Sequence, residues 1–481
     1  MTRSSFFTRP RVFAGWLVGC VALAGSARAQ TAPSDIGVWS SVMSWPISAT
    51  HTHLQPDGRV MFFGEFGEGD DPPRRWDPVT NAVTSLPRPS PIYNIFCSGH
   101  SYLADGKLLV TGGHITSHEG LAEASLYDAA TTSWARLPDM NAGRWYPTNT
   151  TLSNGDVMVL SGEVDGVGDI NEIPQRYLAA SRTWRTMTTA RMDLPYYPRT
   201  FLAPDGRLFV AGPSRTSRWM TVSGTGSWST GPSSNFGTRT YGPAVLLDSR
   251  VYLIGGGDPP TSTVEMLDLG ASPPSWRYMA SMNTARRQHN ATILPDGRVL
   301  VTGGSRGSGF DNSGAPVLQA ELYDPVANRW TRLASNTVYR GYHATALLLP
   351  DGRVLSAGGR NRRTAEVYSP PYLFKGARPV VSSAPGTVSP GTTFTLSTPD
   401  AARITRVSLI AIGSVTHSFD QNQRLVTLGF TAGTGGLTVS APANNNLAPP
   451  GYYQLFVVND VGVPSLGRMV RITATTALGR E

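Results

Sequence analysis

The segment PDGRVLVTGG, residues 295–304, packs a turn, an apolar strand and a glycine pair into ten residues. Asp-Gly between apolar runs is a tight-turn signal, because Gly takes a positive φ at no steric cost. The phrase recurs as PDGRVMFFGE (56–65), ADGKLLVTGG (104–113), NGDVMVLSGE (154–163), PDGRLFVAGP (204–213), DSRVYLIGGG (248–257) and PDGRVLSAGG (350–359). Its turn positions, Gly58, Gly106, Gly155, Gly206, Ser249, Gly297 and Gly352, lie 48, 49, 51, 43, 48 and 55 residues apart. Seven units of this length, each with room for four short strands, predict a seven-bladed β-propeller.

A second mark fixes the register. Trp134, Trp184, Trp228, Trp276 and Trp330 fall in the fourth strand of their units, whereas the first unit ends NAVTSLP without one. This is the kelch type of blade. The seventh unit stops at its third strand, AEVYSPPYLF (365–374), and the missing strand stands near the start of the chain as Val38-Trp39-Ser40-Ser41-Val42. Pairing it with the last blade closes the ring and removes two sheet edges. Beyond Pro379 the pattern changes to period-two strands with Pro/Gly turns, such as ITRVSLIAIG (404–413) and YYQLFVVND (452–460). The expected fold is all-β: a seven-bladed kelch-type β-propeller over 30–375, then an immunoglobulin-like β-sandwich over 376–481 docked on it.

Composition agrees. The chain has 481 residues with 51 Gly and 37 Pro, together about 18% against an ordinary ~12%, and no heptad run. The formal net charge of +8 needs a correction. Residues 1–29 hold Arg3, Arg9, Arg11 and Arg28 with no acid, a short apolar run, and Ala27-Arg28-Ala29 as a small-x-small cleavage site. This reads as a signal peptide cleaved after Ala29 and a secreted protein, extracellular or periplasmic. Removing its four Arg leaves +4 on scattered basic residues, which excludes nucleic acid as a partner. No stable membrane span is expected, and the protein reads as a monomer. Cys20 leaves with the leader, so Cys97 is alone. It is either a buried small hydrophobe or a side chain put to chemical use.

Inner strands of a propeller line its channel, and equivalent positions on successive blades form a ring. Counting nine residues back from each turn gives Ala49, Cys97, Tyr146, Tyr197, Thr240, Gln288 and His343, with Tyr342 and Tyr241 one step away. Phenols and an imidazole around one axis suit a tetragonal Cu(II) site more than zinc, calcium or magnesium. The second imidazole would come from the sandwich, whose sole histidine is His417 in VTHSFDQNQR.

Four segments, FCSGH around Cys97, RWYPT around Tyr146, RGYHATALLLPDGRV around Tyr342-His343 and VTHSFDQNQR around His417, resemble the copper radical oxidases, the galactose oxidase and glyoxal oxidase family. SPPYLF (369–374) and PPGYYQLFVVNDVGVPS (449–465) resemble that family's domain junction and C-terminal sandwich. The resemblance implies one copper held by Tyr146, Tyr342, His343 and His417. It also implies a Cys97–Tyr146 thioether whose tyrosine carries a stable radical. Tyr342 would take the substrate's hydroxyl proton while the Tyr146 radical removes a hydrogen atom from the carbinol carbon. The implied reaction oxidises a primary alcohol (a galactose-type sugar) or an aldehyde with O2, giving the aldehyde or acid and H2O2.

Departures bear on substrate. Galactose oxidase stacks a Trp over the cross-linked pair just after that blade's glycine pair, and the equivalent stretch here, Ser161-Gly162-Glu163-Val164-Asp165, has no aromatic. Nothing in that stretch accounts for radical stabilisation or sugar specificity. Ring position nominates Tyr197, Arg199, Arg287 and Gln288 as the substrate rim. His51 and His53 share one strand face with no further ligand apparent, which reads as strand-end packing. Asp165, Asp169 and Glu172 read as a solvated loop. The alternative to an oxidase is a non-catalytic extracellular kelch protein that binds carbohydrate or a surface partner.

Overall fold

Every Asp-Gly turn closes by the same small device. The Asp57 carboxylate accepts the Arg59 backbone N–H at 3.0 Å, and Asp105, Asp205, Asp296 and Asp351 do the same two residues ahead. The glycines between them sit at φ from +80° to +86°, where a side chain would be strained. The computed structural model describes residues 1–2, 4–8, 32–69 and 71–475, so the leader read over 1–29 lies almost wholly outside the described residues.

Each turn joins the inner strand of a sheet to its second strand, and two outer strands follow, all antiparallel. In the third sheet these are Thr148–Thr151, Val157–Leu160, Gln175–Leu178 and Thr183–Thr186. Second strands such as Val60–Phe63 and Val157–Leu160 are buried at every residue, because each sheet is covered on both faces by its neighbours. The outer-strand tryptophans explain their own spacing. Trp134, Trp184, Trp228 and Trp330 donate their indole N–H to Pro87 O, Pro138 O, Ala190 O and Ala280 O, each on the preceding blade, at 2.7–2.8 Å.

The seventh sheet takes its outer strand from near the start of the chain. Val38–Trp39 and Met43–Ser44 pair antiparallel with Thr364–Ser369, and Trp39 donates to Ala334 O on the sixth blade at 3.0 Å. Trp39 therefore does for the seventh blade what the other tryptophans do for theirs.

Two features tie the sandwich to the propeller. The fifth unit, which reads Asp248-Ser249 where five others read Asp-Gly and the third Asn154-Gly155, turns in two residues (Leu247 pairs Arg250). Its Asp248 carboxylate instead holds the backbone N–H of Thr427 at 2.7 Å, and Leu247 bridges Leu425. The second feature is a hairpin, Ser414–Thr416 and Phe419–Asp420, that enters the propeller and pairs with the inner strand His51–Leu54 (His51 with Thr416, His53 with Ser414). His417 and Ser418 form its tip at φ +47° and +66°. No helix among the described residues is long and apolar enough to cross a membrane.

Candidate metal centre

The inner-strand ring carries a repeated backbone distortion. Cys97, Tyr146, Tyr197, Tyr241, Gln288 and His343 all adopt φ between +42° and +70°. Non-glycine residues in this region cost about 1–3 kcal/mol each and persist only where the surroundings over-determine them. Here the neighbours do so: Tyr146 N–H donates to Cys97 O, Tyr197 N–H to Tyr146 O, and Gln288 N–H to Tyr241 O, each at 2.9 Å. In the fifth blade the ring residue is Tyr241, not Thr240, since the shorter turn shifts the count by one.

At one mouth of this ring four side chains meet. The Tyr146 and Tyr342 hydroxyls hydrogen-bond one another, and His417 Nε2 lies 3.0 Å from Tyr146 Oη. The His343 ring packs on Tyr342 with centroids 3.8 Å apart and lies 4.8 Å from the His417 ring. Both imidazoles have fixed tautomers. His343 donates Nδ1–H to the buried Glu65 carboxylate at 2.8 Å, and His417 Nδ1–H to Thr416 Oγ1 at 2.6 Å. Thr416 in turn donates to Thr50 O, so its oxygen is left to accept. Each ring thus turns an Nε2 lone pair toward the phenols, and His343 Nε2 is buried without a hydrogen-bond partner.

Burial pushes both imidazoles down, the Glu65 bond partly opposing this at His343, and pushes both phenols well up. The protein alone therefore holds a neutral cluster with an orphaned acceptor. A bound cation supplies the missing partner and reverses the cost of ionising the phenols. Two oxygens and two imidazole nitrogens are a donor set that fits Cu(II).

Cys97 is fully buried and packs in one cluster with Tyr146 and Trp145. Burial holds it far above the ordinary thiol range, so it is not a free thiolate nucleophile. Trp145 is the residue the sequence reading lacked. Its ring stacks on Tyr146 with centroids 3.8 Å apart and 6° between planes, and its indole N–H donates to His114 Nδ1 at 3.0 Å. The stacked aromatic comes from the residue before the tyrosine, not from the stretch around Val164.

Of the nominated rim, Tyr197 is buried against Tyr146 and His417 (ring centroids 4.8 and 4.9 Å) and donates its hydroxyl to Ser98 O. Arg199 is buried, spent on the carbonyls of Gly242 and Tyr197 and on the face of Phe419. Arg287 pairs with Asp258 at 2.5 Å, and Gln288 donates to Phe310 O at 2.6 Å. These four sit around the mouth but are bound to protein. His51 and His53 both reach His100 on the next blade: His51 Nδ1 lies 3.1 Å from His100 Nε2, and Ser414 Oγ bridges His100 and His53. His51 Nε2 accepts the Cys97 N–H at 3.2 Å, so this cluster supports the cysteine's strained backbone. In the acidic loop, Glu172 pairs with Arg191.

Glu65, Glu163 and His118 were missed, though a signal existed. The first and third repeats end Gly64-Glu65 and Gly162-Glu163 where others carry a second small residue, and both carboxylates turn toward a histidine. Above Tyr146, Tyr342 and His343 opens a cavity of about 580 Å³ walled by Phe66, Phe96, Trp145, Tyr196, Tyr241 and Phe310, with Ser117, His118, Arg360 and Asn361 as its polar lining.

Residues 75–225 and 228–372 match the glyoxal oxidase N-terminus family, and residues 378–472 match the galactose oxidase-like early set domain. The chain is 30% identical over 500 residues to a galactose oxidase of Gibberella zeae, covering 93% of this chain and 72% of that one. It is 30% identical over 433 residues to an aldehyde oxidase (GLOX) of Vitis pseudoreticulata, covering 78% and 82%. A solved fungal alcohol oxidase in complex with copper superposes with a TM-score of 0.84 at 26% identity, covering 91% of this chain and all of that one.

Proposed function

The chain belongs to the galactose oxidase–glyoxal oxidase family of copper radical oxidases, and from that premise we propose that it oxidises apolar primary alcohols, aromatic ones foremost, through a Cys97–Tyr146 thioether radical. The observation that carries the substrate reading is the cavity wall. Six rings, Phe66, Phe96, Trp145, Tyr196, Tyr241 and Phe310, make much of it, with Ser117, His118, Arg360 and Asn361 as its polar edge, while Arg199 and Arg287 are spent on bonds to protein. An unpaired sugar hydroxyl against such walls costs about 1–3 kcal/mol, and a benzylic ring gains burial instead. Tyr197, Arg199, Arg287 and Gln288 then serve the mouth by holding its walls, Gln288 through its bond to Phe310.

Tyr146, Tyr342, His343 and His417 would hold the copper, which when bound would supply the one-electron partner and the Lewis acid for the substrate hydroxyl. Tyr342 is the base: its phenolate oxygen, beside Tyr146 Oη, takes the hydroxyl proton. Tyr146, as the radical, removes a hydrogen atom from the carbinol carbon. The sulfur of Cys97 and the parallel ring of Trp145 spread the unpaired electron and lower the cost of the radical. The stacked wall of Trp145, Tyr146 and Tyr197 keeps the ring shielded from water. O2 receives two electrons and both substrate hydrogens and leaves as H2O2.

The protein reads as secreted, on the leader pattern of residues 1–29. The test is peroxide release by copper-loaded protein on benzyl alcohol against galactose, beside the intact mass. The expected results are a kcat/KM at least tenfold higher for benzyl alcohol and a mass about 2 Da below the unlinked chain. Higher kcat/KM on galactose would overturn the substrate reading, and an unlinked Cys97 would overturn the radical.

A further inference from the structure

The carboxylate–histidine device that aims His343 at the metal position occurs a second time in the same cavity, with no metal ligand to serve. Glu163, fully buried, takes Nδ1–H of His118 on Oε2 at 2.7 Å. Its other oxygen takes the Tyr196 hydroxyl at 2.5 Å and the Gly168 N–H at 2.6 Å. An ionised carboxylate only accepts, so in the neutral ring the hydrogen sits on Nδ1 and the lone pair on Nε2. That nitrogen has no hydrogen-bond partner among the described residues, and the side chain, 35% exposed, lines the cavity. The backbone is strained to achieve this: His118 stands at φ +71° at the tip of the hairpin His114–Thr116 and Glu119–Gly120, pinned by Gly166 N–H on its carbonyl.

A buried acid, an oriented imidazole and an open lone pair facing a substrate cavity are the parts of a general base. The alcohol oxidation does not need it. In RCH2OH + O2 → RCHO + H2O2 both hydrogens leave on the peroxide, and Tyr342 alone handles the proton. A second base is needed only if the aldehyde is to react further, because an aldehyde has no hydroxyl to oxidise until water adds to it.

We infer that His118, oriented by Glu163, is a general base that hydrates the aldehyde within the cavity, so that one protein carries an alcohol through to the carboxylic acid. His118 Nε2 takes a proton from water as its oxygen bonds to the carbonyl carbon. The carbonyl π pair moves to oxygen, which takes the proton back, and the sum is RCHO + H2O → RCH(OH)2. The diol is again an alcohol, and RCH(OH)2 + O2 → RCOOH + H2O2 follows at the same centre. This inference rests on the oxidase reading for its aldehyde, but hydration itself involves no electron transfer.

The experiment exploits that difference. The full chain, stripped of copper, is incubated with benzaldehyde in H2¹⁸O, and isotope exchange into the carbonyl is followed by mass spectrometry. General-base catalysis contributes on the order of 10²–10⁴-fold, so exchange saturable in benzaldehyde and on the order of 10²-fold above buffer is expected. His118→Gln should return it to the buffer rate, and His118→Gly should regain it on addition of free imidazole. Buffer-rate exchange by the wild-type chain, full exchange by His118→Gln, or failure of imidazole to rescue would each overturn the inference. Peroxide release from benzyl alcohol by copper-loaded protein, with exchange at the buffer rate, would sink hydration and leave the oxidase. Accelerated exchange without peroxide would do the reverse.

Discussion

Replacing Glu65 by Gln isolates the electrostatic part of the metal site. Glu65 Oε2 accepts His343 Nδ1–H at 2.8 Å and Oε1 accepts the Asn361 backbone N–H at 2.7 Å, so both oxygens are acceptors. Gln supplies only one acceptor. If its oxygen keeps His343, its amide N–H₂ faces the Asn361 N–H, donor against donor. A hydrogen bond to a charged group contributes about 1.5–3 kcal/mol and a neutral one about 0.5–1.5. The His343 side of the exchange therefore loses about 1–1.5 kcal/mol of support for the metal-binding tautomer, or roughly tenfold in copper affinity. That sits at the low end of the ~10–100-fold seen when such carboxylates are removed from metal-bound histidines. Proton competition cannot mimic the loss. Burial already pushes His343 below its ordinary value and the Glu65 bond pushes it back up, so removing the carboxylate makes the ring harder to protonate. The assay is a chelator-competition titration of copper at fixed pH on folded Glu65→Gln and wild-type proteins. Affinities within a factor of two would refute the argument, because the 2.8 Å contact would then hold the ring without tuning it.

The other predictions concern the radical pair and the buried histidines. Cys97→Ser should fold and bind copper, show no 2 Da mass loss, and lose most oxidase activity; full activity would remove the thioether from the mechanism. Trp145→Phe keeps a ring on Tyr146 but loses the indole N–H to His114. It should shorten the radical's optical lifetime and raise its reduction potential, and an unchanged potential would show that the stacking tryptophan does not tune the radical. Burial depresses His51 and His53 well below the ordinary 6.5 and His100 to about 3, so the native state keeps all three neutral. The unfolded chain binds more protons below pH 6.5, so stability is fully present above that value and lost as pH falls toward the folded values. Each histidine costs about 1.4 kcal/mol per pH unit over that window. Asp420, raised to about 6 by burial, has the opposite sign and offsets one of the three down to about pH 4. His289, His343 and His417, likewise depressed by burial, add to the loss in the same direction, so the copper-free protein should unfold within a few pH units below 6.5. A melting temperature flat from pH 7 to 4 would contradict it.

What could be read from sequence was whatever repeats or is chemically rare. The five Asp-Gly turns were legible because each is local, a carboxylate on a backbone N–H two residues ahead with a glycine at positive φ between. The five residues that the resemblance assigns to a metal centre could be picked out because they stand at one count from those turns or in segments with a strong resemblance, and the structure brings all five side by side. The miscounted Thr240 shows the limit of counting. One residue fewer in the Asp248-Ser249 turn moves the ring position, and only the bond from Asp248 to Thr427 on the sandwich explains why that turn differs.

The residues that orient the site were hidden for a different reason. Glu65 and His343 are 278 positions apart, and His118 and Glu163 are 45 apart on adjacent blades. No local pattern couples them, and each pair exists only once the ring has closed. Yet the repeat did hold the clue, since a Glu stands in place of the second small residue in two of seven blades. A position that the fold fills with a small residue for backbone reasons is one where a carboxylate needs another justification. In both cases the justification is an imidazole at the channel mouth. Trp145 follows the same logic from the other side. Galactose oxidase carries its stacking ring after the glycine pair. The geometry requires only that some ring lie parallel to Tyr146. The left-handed turn at Tyr146, φ +70°, brings the preceding side chain over the tyrosine's own face, so a one-residue neighbour can do what a distant loop does elsewhere. The ring of strained residues thus places Tyr146 and His343 and also decides which neighbours can reach them.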